Sequence, residues 1–191
     1  PTGFLIDAPA ALDKIGSIGK PRMMTEARLA GVPDGAAGEG ELEMRGATVT
    51  PGYFGNAPAT EAAMTADGWL KSGDVARRDG DGYYTIIDRL KDMYISGGEN
   101  VYPAEVERVL ITHPAILEAA VIGVPDARWG EVGVAFLIAR PGQAPDLEAL
   151  ADWCRERLAA YKIPRRFRLL ADFPRTAAGK VRKPLLREML P

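Results

Sequence analysis

The segment SGGENVYPAEVE, residues 96–107, marks the point at which the pattern of the chain changes. Gly97 and Gly98 indicate either a tight turn or a place where a slender ligand passes close to the backbone. Pro103 suits the first turn of a helix, which the apolar spacing continues until His113-Pro114 ends it. From this helix onward the sequence predicts alternating helices and strands.

The elements predicted after this helix are strands over 116–124, 132–139 and 167–170, a helix capped by Asp146, and a last helix opened by Pro184. Together they describe a compact α+β domain of about a hundred residues, an ordinary domain size.

The region before this segment predicts mainly strands and turns. Residues 1–40 are rich in Gly, Ala and Pro, which indicates loops around short strands. Alternation over 41–45 predicts a strand, and residues 60–66 suggest a short helix. The turn at 79–82, followed by a β-rich run over 83–88, predicts a hairpin. We therefore predict an α+β chain with a boundary near Arg89 to Asp92, giving domains 1–90 and 91–191.

Composition indicates a soluble globular protein. The 191 residues are 47% hydrophobic and carry a net charge of −2, which removes a whole-chain argument for nucleic acid or an anionic membrane. The single cysteine, Cys154, cannot form an internal disulfide, so we expect a reducing compartment, the cytoplasm. No apolar run reaches the span of a bilayer, and no signal peptide is evident. Because the sequence begins at Pro1 and not Met, we expect a missing upstream segment.

Positive charge is concentrated near the C-terminus. Residues 155–187 hold eleven Lys and Arg side chains against Glu156 and Asp172. A solvated helix face and loop is the simple interpretation of such a run. A folded basic strip in an acidic protein would also suit a phosphorylated small molecule. A nucleic-acid site is the third interpretation, but the acidic balance and the lack of interleaved aromatic residues for base stacking count against it.

Two segments carry candidate chemistry. In PRTAAGK, 174–180, small residues flank Lys180 without the spacing of a phosphate-cradling loop. Its lysine is either a solvated turn residue or a mobile cation for a phosphate or carboxylate. In GWLKSGD, 68–74, Asp74 follows Gly73 at a turn. It could cap its own backbone or accept hydrogen bonds from a ribose diol.

Read together, the motifs resemble the adenylate-forming superfamily of acyl-CoA synthetases, peptide-synthetase adenylation domains and luciferases. The matching segments, in order, are GEGEL (38–42) with GY (52–53), GWLKSGD (68–74), DRLKD (88–92), SGGENVYPAEVE (96–107), VPD (124–126) with WGE (129–131), YKIP (161–164) and PRTAAGK (174–180). They cover the chain from about Ser17 to its end. The GGEN form is more similar to an acyl-CoA synthetase than to a peptide-synthetase domain.

The resemblance implies a two-step reaction in which a carboxylate attacks the α-phosphate of Mg-ATP, and the thiol of CoA then displaces AMP. It implies nucleotide-binding roles for Asp74, Arg89 and Ile86. Lys180 would be the catalytic lysine that bridges the carboxylate and the α-phosphate.

The resemblance further implies that Lys91 is the hinge about which the small domain rotates between the two steps. The family pattern implies CoA-binding roles for Gly97, Gly98, Tyr161 and Arg165, with Gly98 lining the passage for the pantetheine arm.

Two family elements are missing from this sequence. The first is a Ser/Thr/Gly-rich phosphate loop. The second is a Thr-Glu element, whose Glu would hold magnesium; residues 3–7, GFLID, stand in its place. The resemblance therefore implies the C-terminal part of a synthetase: a β-rich remnant of the large N-terminal domain, followed by a compact α+β lid domain.

Its substrates would be ATP, Mg²⁺, CoA and a carboxylic acid. The partner would be the missing N-terminal domain, and we expect no metal ligands, tightly bound cofactor, nucleic acid or integral membrane segment. We expect no adenylation by the chain alone; the alternative is a free-standing lid-like module that binds CoA or a partner without catalysis.

Three further residues are assigned structural roles. His113, the only histidine, is expected to cap or pack at a helix end, and without a second histidine it gives no zinc site. Cys154 lies on an apolar helix face and is expected in the core. Trp129 is interpreted as a packing residue, although WGE also fits a surface loop of the family.

Overall fold

The chain divides into two units, Pro1–Lys91 and Asp92–Pro191, in a computed structural model that describes residues 3–190. The sequence places the boundary after residue 90. Which domain of a larger enzyme each unit represents stays a prediction.

The first unit is built mainly of antiparallel strands. Its elements are β1 Phe4–Leu5, α1 Ala8–Asp13, β2 Lys20–Pro21, β3 Glu26–Leu29, β4 Gly38–Arg45, α2 Ala57–Ala63, β5 Leu70–Arg78 and β6 Tyr84–Arg89. Strands β3-β4-β5-β6 form one antiparallel sheet in sequence order, and β1 pairs with β2 in a separate two-stranded sheet. The hairpin predicted around residues 79–82 is confirmed as β5–β6.

A small core lies on one face of this sheet. Leu29, Leu42, Ala76 and Tyr84 are buried there, and the Tyr84 hydroxyl donates to the carbonyl of Ala27 at 3.1 Å. Successive side chains of a strand point to opposite faces of the sheet, so every second side chain of each strand points to this face. Even short strands can therefore cover the face with buried side chains.

The helix predicted over 60–66 lies earlier in the chain. The Asn56 side chain caps α2 by accepting from the Ala59 N–H at 3.1 Å, and Pro58 occupies its first turn. Met64 instead forms an antiparallel bridge with Leu70, which ends the helix. The prediction missed the Asn-x-Pro start signal.

The second unit mixes strands and helices. Its elements are β7 Tyr94–Ser96, β8 Glu99–Val101, α3 Pro103–Ile111, β9 Ile116–Asp126, β10 Gly130–Ala139, α4 Leu147–Arg155, β11 Arg166–Leu169 and α5 Lys183–Glu188. A short 3-10 turn covers Ala160–Lys162 in this unit, and another, Leu90–Asp92, spans the boundary between the two units in the chain. The α+β expectation is confirmed.

Strand β10 organises the second sheet. It pairs antiparallel with β9 along its length, parallel with β11, and through Gly130 with Ser96 of the β7–β8 hairpin. Alternate residues face two cores. One contains Val121 and Leu137 with α3 and α4, and the other contains Phe136 with Leu186 of α5. Because both faces are covered, β9 and β10 read as nearly continuous apolar runs.

Two glycines make room for Tyr94 in this sheet. Gly123 and Gly133 pair in register on β9 and β10. A Cβ at Gly123 would lie 2.3 Å from Tyr94 Cβ, and one at Gly133 would lie 2.4 Å from the Tyr94 hydroxyl. Burial raises the pKa of Tyr94, whose hydroxyl has no hydrogen-bond partner among the described residues.

The structural roles assigned to single residues also hold. Asp146 caps α4 by accepting from Glu148 and Ala149, and Cys154 is fully buried, which raises the pKa of its thiol to about 11. His113 accepts from the Ala115 N–H through Nδ1 and meets the Trp153 ring edge-on at 4.8 Å. None of the helices within residues 3–190 combines the length and the apolar character needed to cross a bilayer.

Candidate functional site

Asp74 and Arg89 face each other across neighbouring strands of the first unit. They are register partners on β5 and β6, and Arg89 Nη1 lies 2.7 Å from Asp74 Oδ1. The Arg89 side chain is 52% exposed and the Asp74 side chain 27% exposed. The structure thus brings two predicted nucleotide-binding side chains together at the surface, where a carboxylate and a guanidinium can bind polar ligand atoms.

An irregularity in the sheet presents Asp74. The β4–β5 pairing shifts between Glu41 and Glu43, and Gly73 has a φ of +73° that favours glycine. The Gly73 N–H donates to the Glu41 carboxylate at 3.1 Å, and the Asp74 N–H donates to Ser72 Oγ at 3.1 Å. Local side chains therefore satisfy the backbone that leads into Asp74.

Ile86 lies on β6, the strand that carries Arg89, and Lys91 lies in the turn that follows this strand. Ile86 is half-buried and packs against the core of the first unit, opposite Ala76. Lys91 is exposed in the 3-10 turn and lines a groove of about 290 Å³ together with Ser72, Gly73, Arg89 and Leu90. The predicted hinge residue and Arg89 therefore share one groove.

Lys180 lies at the end of an exposed loop in the second unit. The loop turns through Thr176 and Gly179, and Gly179 has a φ of +79°. The Lys180 N–H donates to Thr176 Oγ1 at 3.2 Å, which fixes its backbone. No ion pair joins the Lys180 ammonium to a carboxylate of residues 3–190, so its charge is available to a ligand.

Gly97 and Gly98 form the two-residue turn of the β7–β8 hairpin. Their φ values of +62° and +87° correspond to the turn type that favours glycine at both positions. A Cβ at Gly98 would meet no atom within 4 Å, whereas one at Gly97 would lie 3.0 Å from the Trp129 ring. Backbone conformation alone therefore accounts for Gly98, and both conformation and space account for Gly97.

Trp129 joins two of the predicted CoA-binding residues. Its ring lies against Gly97, and the guanidinium carbons of Arg165 and Arg128 lie 5.8 Å and 4.9 Å from the ring centre. The packing role predicted for Trp129 is confirmed, since this half-buried residue also packs against the core that contains Phe136 and Leu186. What the sequence did not predict is its contact with Gly97 and Arg165, for which its place in the turn between β9 and β10 was the signal, since turns lie at the surface.

Asp126 orders this turn. Its Oδ1 accepts from the backbone N–H groups of Arg128 and Trp129, both at 2.9 Å. These bonds lower the pKa of the Asp126 carboxyl. The indole is thereby held on a defined turn.

Tyr161 is placed differently. It lies in the 3-10 turn Ala160–Lys162 and packs half-buried against the core formed with α3 and α4. The neighbouring Lys162 ammonium contacts both carboxylate oxygens of Glu105 at 2.7 Å.

The basic strip of residues 155–187 is not a single free surface. Ion pairs with carboxylates engage five of its side chains, namely Arg155, Arg157, Lys162, Arg175 and Lys183. Arg168 and Arg187 donate to backbone carbonyls. The charge count therefore overstated support for a phosphate ligand, because folding pairs four of these five cations with acids from outside the strip.

Residues 3–190 contain no group of three or more His, Cys, Asp or Glu side chains placed to hold a metal ion.

Comparisons with known proteins identify the family. Residues 105–180 match the model of the AMP-binding enzyme C-terminal domain. The chain is 47% identical over 188 residues to feruloyl-CoA synthase from an Amycolatopsis species, a match that covers 96% of this chain. The chain belongs to the adenylate-forming acyl-CoA synthetase family. The resemblance predicted from the ordered motifs is thus confirmed.

Other members of this family show the same extent of similarity. 2-Succinylbenzoate–CoA ligase from Geobacillus kaustophilus is 43% identical over 183 residues, which cover 95% of this chain. The chain spans 37% of that relative and 38% of the Amycolatopsis enzyme. It thus matches little more than a third of each adenylate-forming relative.

A solved structure shares the fold as well. The o-succinylbenzoate CoA synthetase of Bacillus subtilis, in complex with the acyl-adenylate intermediate, superposes with a TM-score of 0.88 and 39% identity. The match covers 98% of this chain and 38% of that one. The same synthetase has been solved with ATP and a magnesium ion.

Proposed function

We propose that this chain acts as the C-terminal part of an AMP-forming acid–CoA ligase. In the first half-reaction a carboxylate oxygen bonds to the α-phosphorus of ATP, and pyrophosphate leaves. In the second, the CoA sulfur bonds to the acyl carbon, AMP leaves, and the thiol proton is released. The observation that carries the proposal is the exposed Lys180 on an ordered loop, where its ammonium pairs with no carboxylate of residues 3–190.

Lys180 serves the first half-reaction in this proposal. Its positive charge stabilises the negative charge that develops on the α-phosphate as the carboxylate attacks. The carboxylate of Asp74 and the guanidinium of Arg89 bind the ribose hydroxyls, since Arg89 is exposed, Asp74 is partly exposed and the two are already adjacent at 2.7 Å. Ile86, on the same strand as Arg89, borders the nucleotide in this proposal.

The second half-reaction uses the glycine turn of the second unit. The unobstructed surface at Gly98 gives passage to the pantetheine arm of CoA. Trp129 supplies an aromatic contact for the CoA nucleotide, and Arg165 supplies a cationic one. Tyr161, which is close to Arg165 in the sequence, supplies a further aromatic contact. Lys91 is the hinge between the two half-reactions.

Exposed apolar side chains support the need for a further domain. In the first unit Leu12, Ile15, Met23 and Phe54 are each more than four-fifths exposed, with Met23 at 87%. Apolar surface of this kind marks interaction sites. The rest of the ligase, which we propose covers it, supplies the phosphate loop, the magnesium ligand and the acid pocket. Cys154 is a free, buried thiol, which is compatible with the reducing cytoplasm that we predict for this protein.

The test is a chimera in which this chain replaces the matching region of the Amycolatopsis feruloyl-CoA synthase. We expect ferulate-dependent ATP–pyrophosphate exchange by the chimera and none by the 191-residue chain. Lys180→Ala should lower exchange by about a hundredfold or more and spare thioester formation from preformed feruloyl-adenylate.

Arg182→Ala is the matched control, because it removes an exposed cation two residues from Lys180. Exchange that survives Lys180→Ala would refute the lysine assignment. Acid-dependent exchange by the isolated chain would refute the need for a further domain.

A further inference from the structure

The loop that carries Lys180 is a short hairpin with its own hydrogen bonds. The Arg182 N–H donates to the Pro174 carbonyl at 2.7 Å, and the Thr176 N–H donates to the Lys180 carbonyl at 2.8 Å. The Gly179 N–H closes the turn on the Thr176 carbonyl at 2.9 Å. These bonds shape the hairpin, but every residue from 175 to 180 is exposed. The position of the hairpin therefore depends on contacts at its base.

Arg175 makes such a contact. Its Nη2 donates to both carboxylate oxygens of Glu118 on β9 at 2.8 Å, and its Nη1 donates to the Gly179 carbonyl at 3.3 Å. The Glu118 bond raises the pKa of Arg175. One guanidinium thus ties the turn next to Lys180 to the central sheet.

A second ion pair anchors the other side of the hairpin. Lys183 Nζ lies 2.8 Å from Glu107 of α3, and these side chains are only 19% and 22% exposed. The same Glu107 oxygen accepts the Val121 N–H of β9 at 2.8 Å. The strand that carries Glu118 also meets Glu107, so both ion pairs at the base of the hairpin lead to β9.

We propose that Arg175 and Glu118 are positioning residues that fix the Lys180 hairpin for the first half-reaction. This inference rests on the proposed function, because it assigns a purpose to the geometry around the proposed catalytic lysine. A lysine that must reach a developing charge loses about a hundredfold in rate when its backbone is misplaced by 1 Å. Arg175 restrains the backbone carbonyl immediately before Lys180, where such a displacement would begin.

Hydrogen exchange on the 191-residue chain tests the restraint without any activity. Arg175→Ala and Glu118→Gln should each speed exchange of the Gly179 and Lys180 amides about tenfold or more, and leave the β10 amides of the sheet unchanged. Arg155→Ala removes an ion pair with Asp152 on α4 of the same unit and is the matched control. Unchanged exchange in the loop of both variants would overturn the proposal. If Arg175→Ala does not fold, Arg175→Lys, which can make fewer of these bonds, should still exchange the Gly179 and Lys180 amides faster than the unchanged chain.

The ferulate chimera tests the effect on the reaction. Arg175→Ala should lower the kcat of ATP–pyrophosphate exchange about tenfold or more, leave KM for ATP unchanged, and spare thioester formation from feruloyl-adenylate. The double variant Arg175→Glu with Glu118→Arg exchanges the two charges of the ion pair. Its kcat should be at least threefold higher than that of Arg175→Ala. A mobile loop with undiminished kcat would overturn the positioning role.

The Lys180→Ala variant separates the two proposals. If it retains exchange activity, the proposed function fails on its own account, whereas the loop's hydrogen exchange still decides whether Arg175 restrains it.

Discussion

The Arg89 guanidinium donates to the Asp74 carboxylate at 2.7 Å across the β5–β6 pair. The fold therefore brings together two residues that are 15 positions apart and were predicted separately from two motifs. Each satisfies the charge of the other. A ribose diol at this place would accept from the guanidinium and donate to the carboxylate.

The first prediction concerns Asp74. In the ferulate chimera, Asp74→Asn should raise KM for ATP about tenfold or more, because a hydrogen bond to a charged group contributes about 1.5–3 kcal/mol. ATP–pyrophosphate exchange at varied ATP concentration measures this. Glu61→Gln, an exposed carboxylate elsewhere in the first unit, is the control. An unchanged KM in Asp74→Asn would remove Asp74 from the nucleotide site.

The second prediction concerns Lys91. Proline fixes φ, so Lys91→Pro should restrict the backbone of the Leu90–Asp92 turn. If the turn is a hinge, thioester formation from feruloyl-adenylate should fall far more than ATP–pyrophosphate exchange. Equal loss of both half-reactions would argue against a hinge, and Lys91→Ala separates the loss of charge from the loss of rotation.

The third prediction compares two buried tyrosines. The Tyr84 hydroxyl donates to Ala27, whereas the Tyr94 hydroxyl has no partner among residues 3–190. Tyr84→Phe should therefore lower the free energy of unfolding by about 1 kcal/mol, and Tyr94→Phe should leave it unchanged or raise it. Urea unfolding followed by hydrogen exchange of peptides from each unit gives both values. A loss at Tyr94 equal to that at Tyr84 would show that its hydroxyl is hydrogen-bonded.

The fourth prediction concerns the two glycines around Tyr94. Gly133→Ala and Gly123→Ala should each destabilise the second unit by about 1–3 kcal/mol, since the new methyl group overlaps Tyr94. Adding Tyr94→Phe should relieve Gly133→Ala, which strikes the hydroxyl, but not Gly123→Ala, which strikes Cβ. Urea unfolding of the single and double variants measures the difference. Equal relief of both would contradict the packing described.

The fifth prediction concerns acid stability. Ion pairs lower the pKa of Asp67 beside Arg28, Asp79 beside Lys14 and Glu26 beside Arg45, all in the first unit. A lowered pKa in the folded state adds stability above the usual carboxyl range near pH 4, and this stability is lost as the pH falls through the folded-state pKa. Peptides from the first unit should therefore lose hydrogen-exchange protection between pH 5 and 2.5, after correction for intrinsic exchange. Protection that stays constant over this range would contradict the prediction.

Much of the second unit was readable from the sequence, because its signals are local. Pro103, the Asp146 cap and the apolar runs of β9 and β10 each specify an element through their own backbone or burial requirement. The β7–β8 hairpin was harder to read, since Gly97-Gly98 allowed both a turn and a ligand passage. In the first unit the start of α2 was missed, because a capping Asn56 followed by Pro58 outweighs the apolar spacing further on.

By itself the sequence determined the family, the α+β class and the identity of the candidate residues, since ordered motifs and local backbone preferences are properties of the chain alone. Only the tertiary structure decided which charges are available. It paired Arg175 with Glu118 and Lys183 with Glu107, left Lys180 without a carboxylate among the described residues, and placed Trp129 between Gly97 and Arg165. These outcomes depend on residues far apart in the chain, and the Coulomb energy and burial that govern them depend on distance in space.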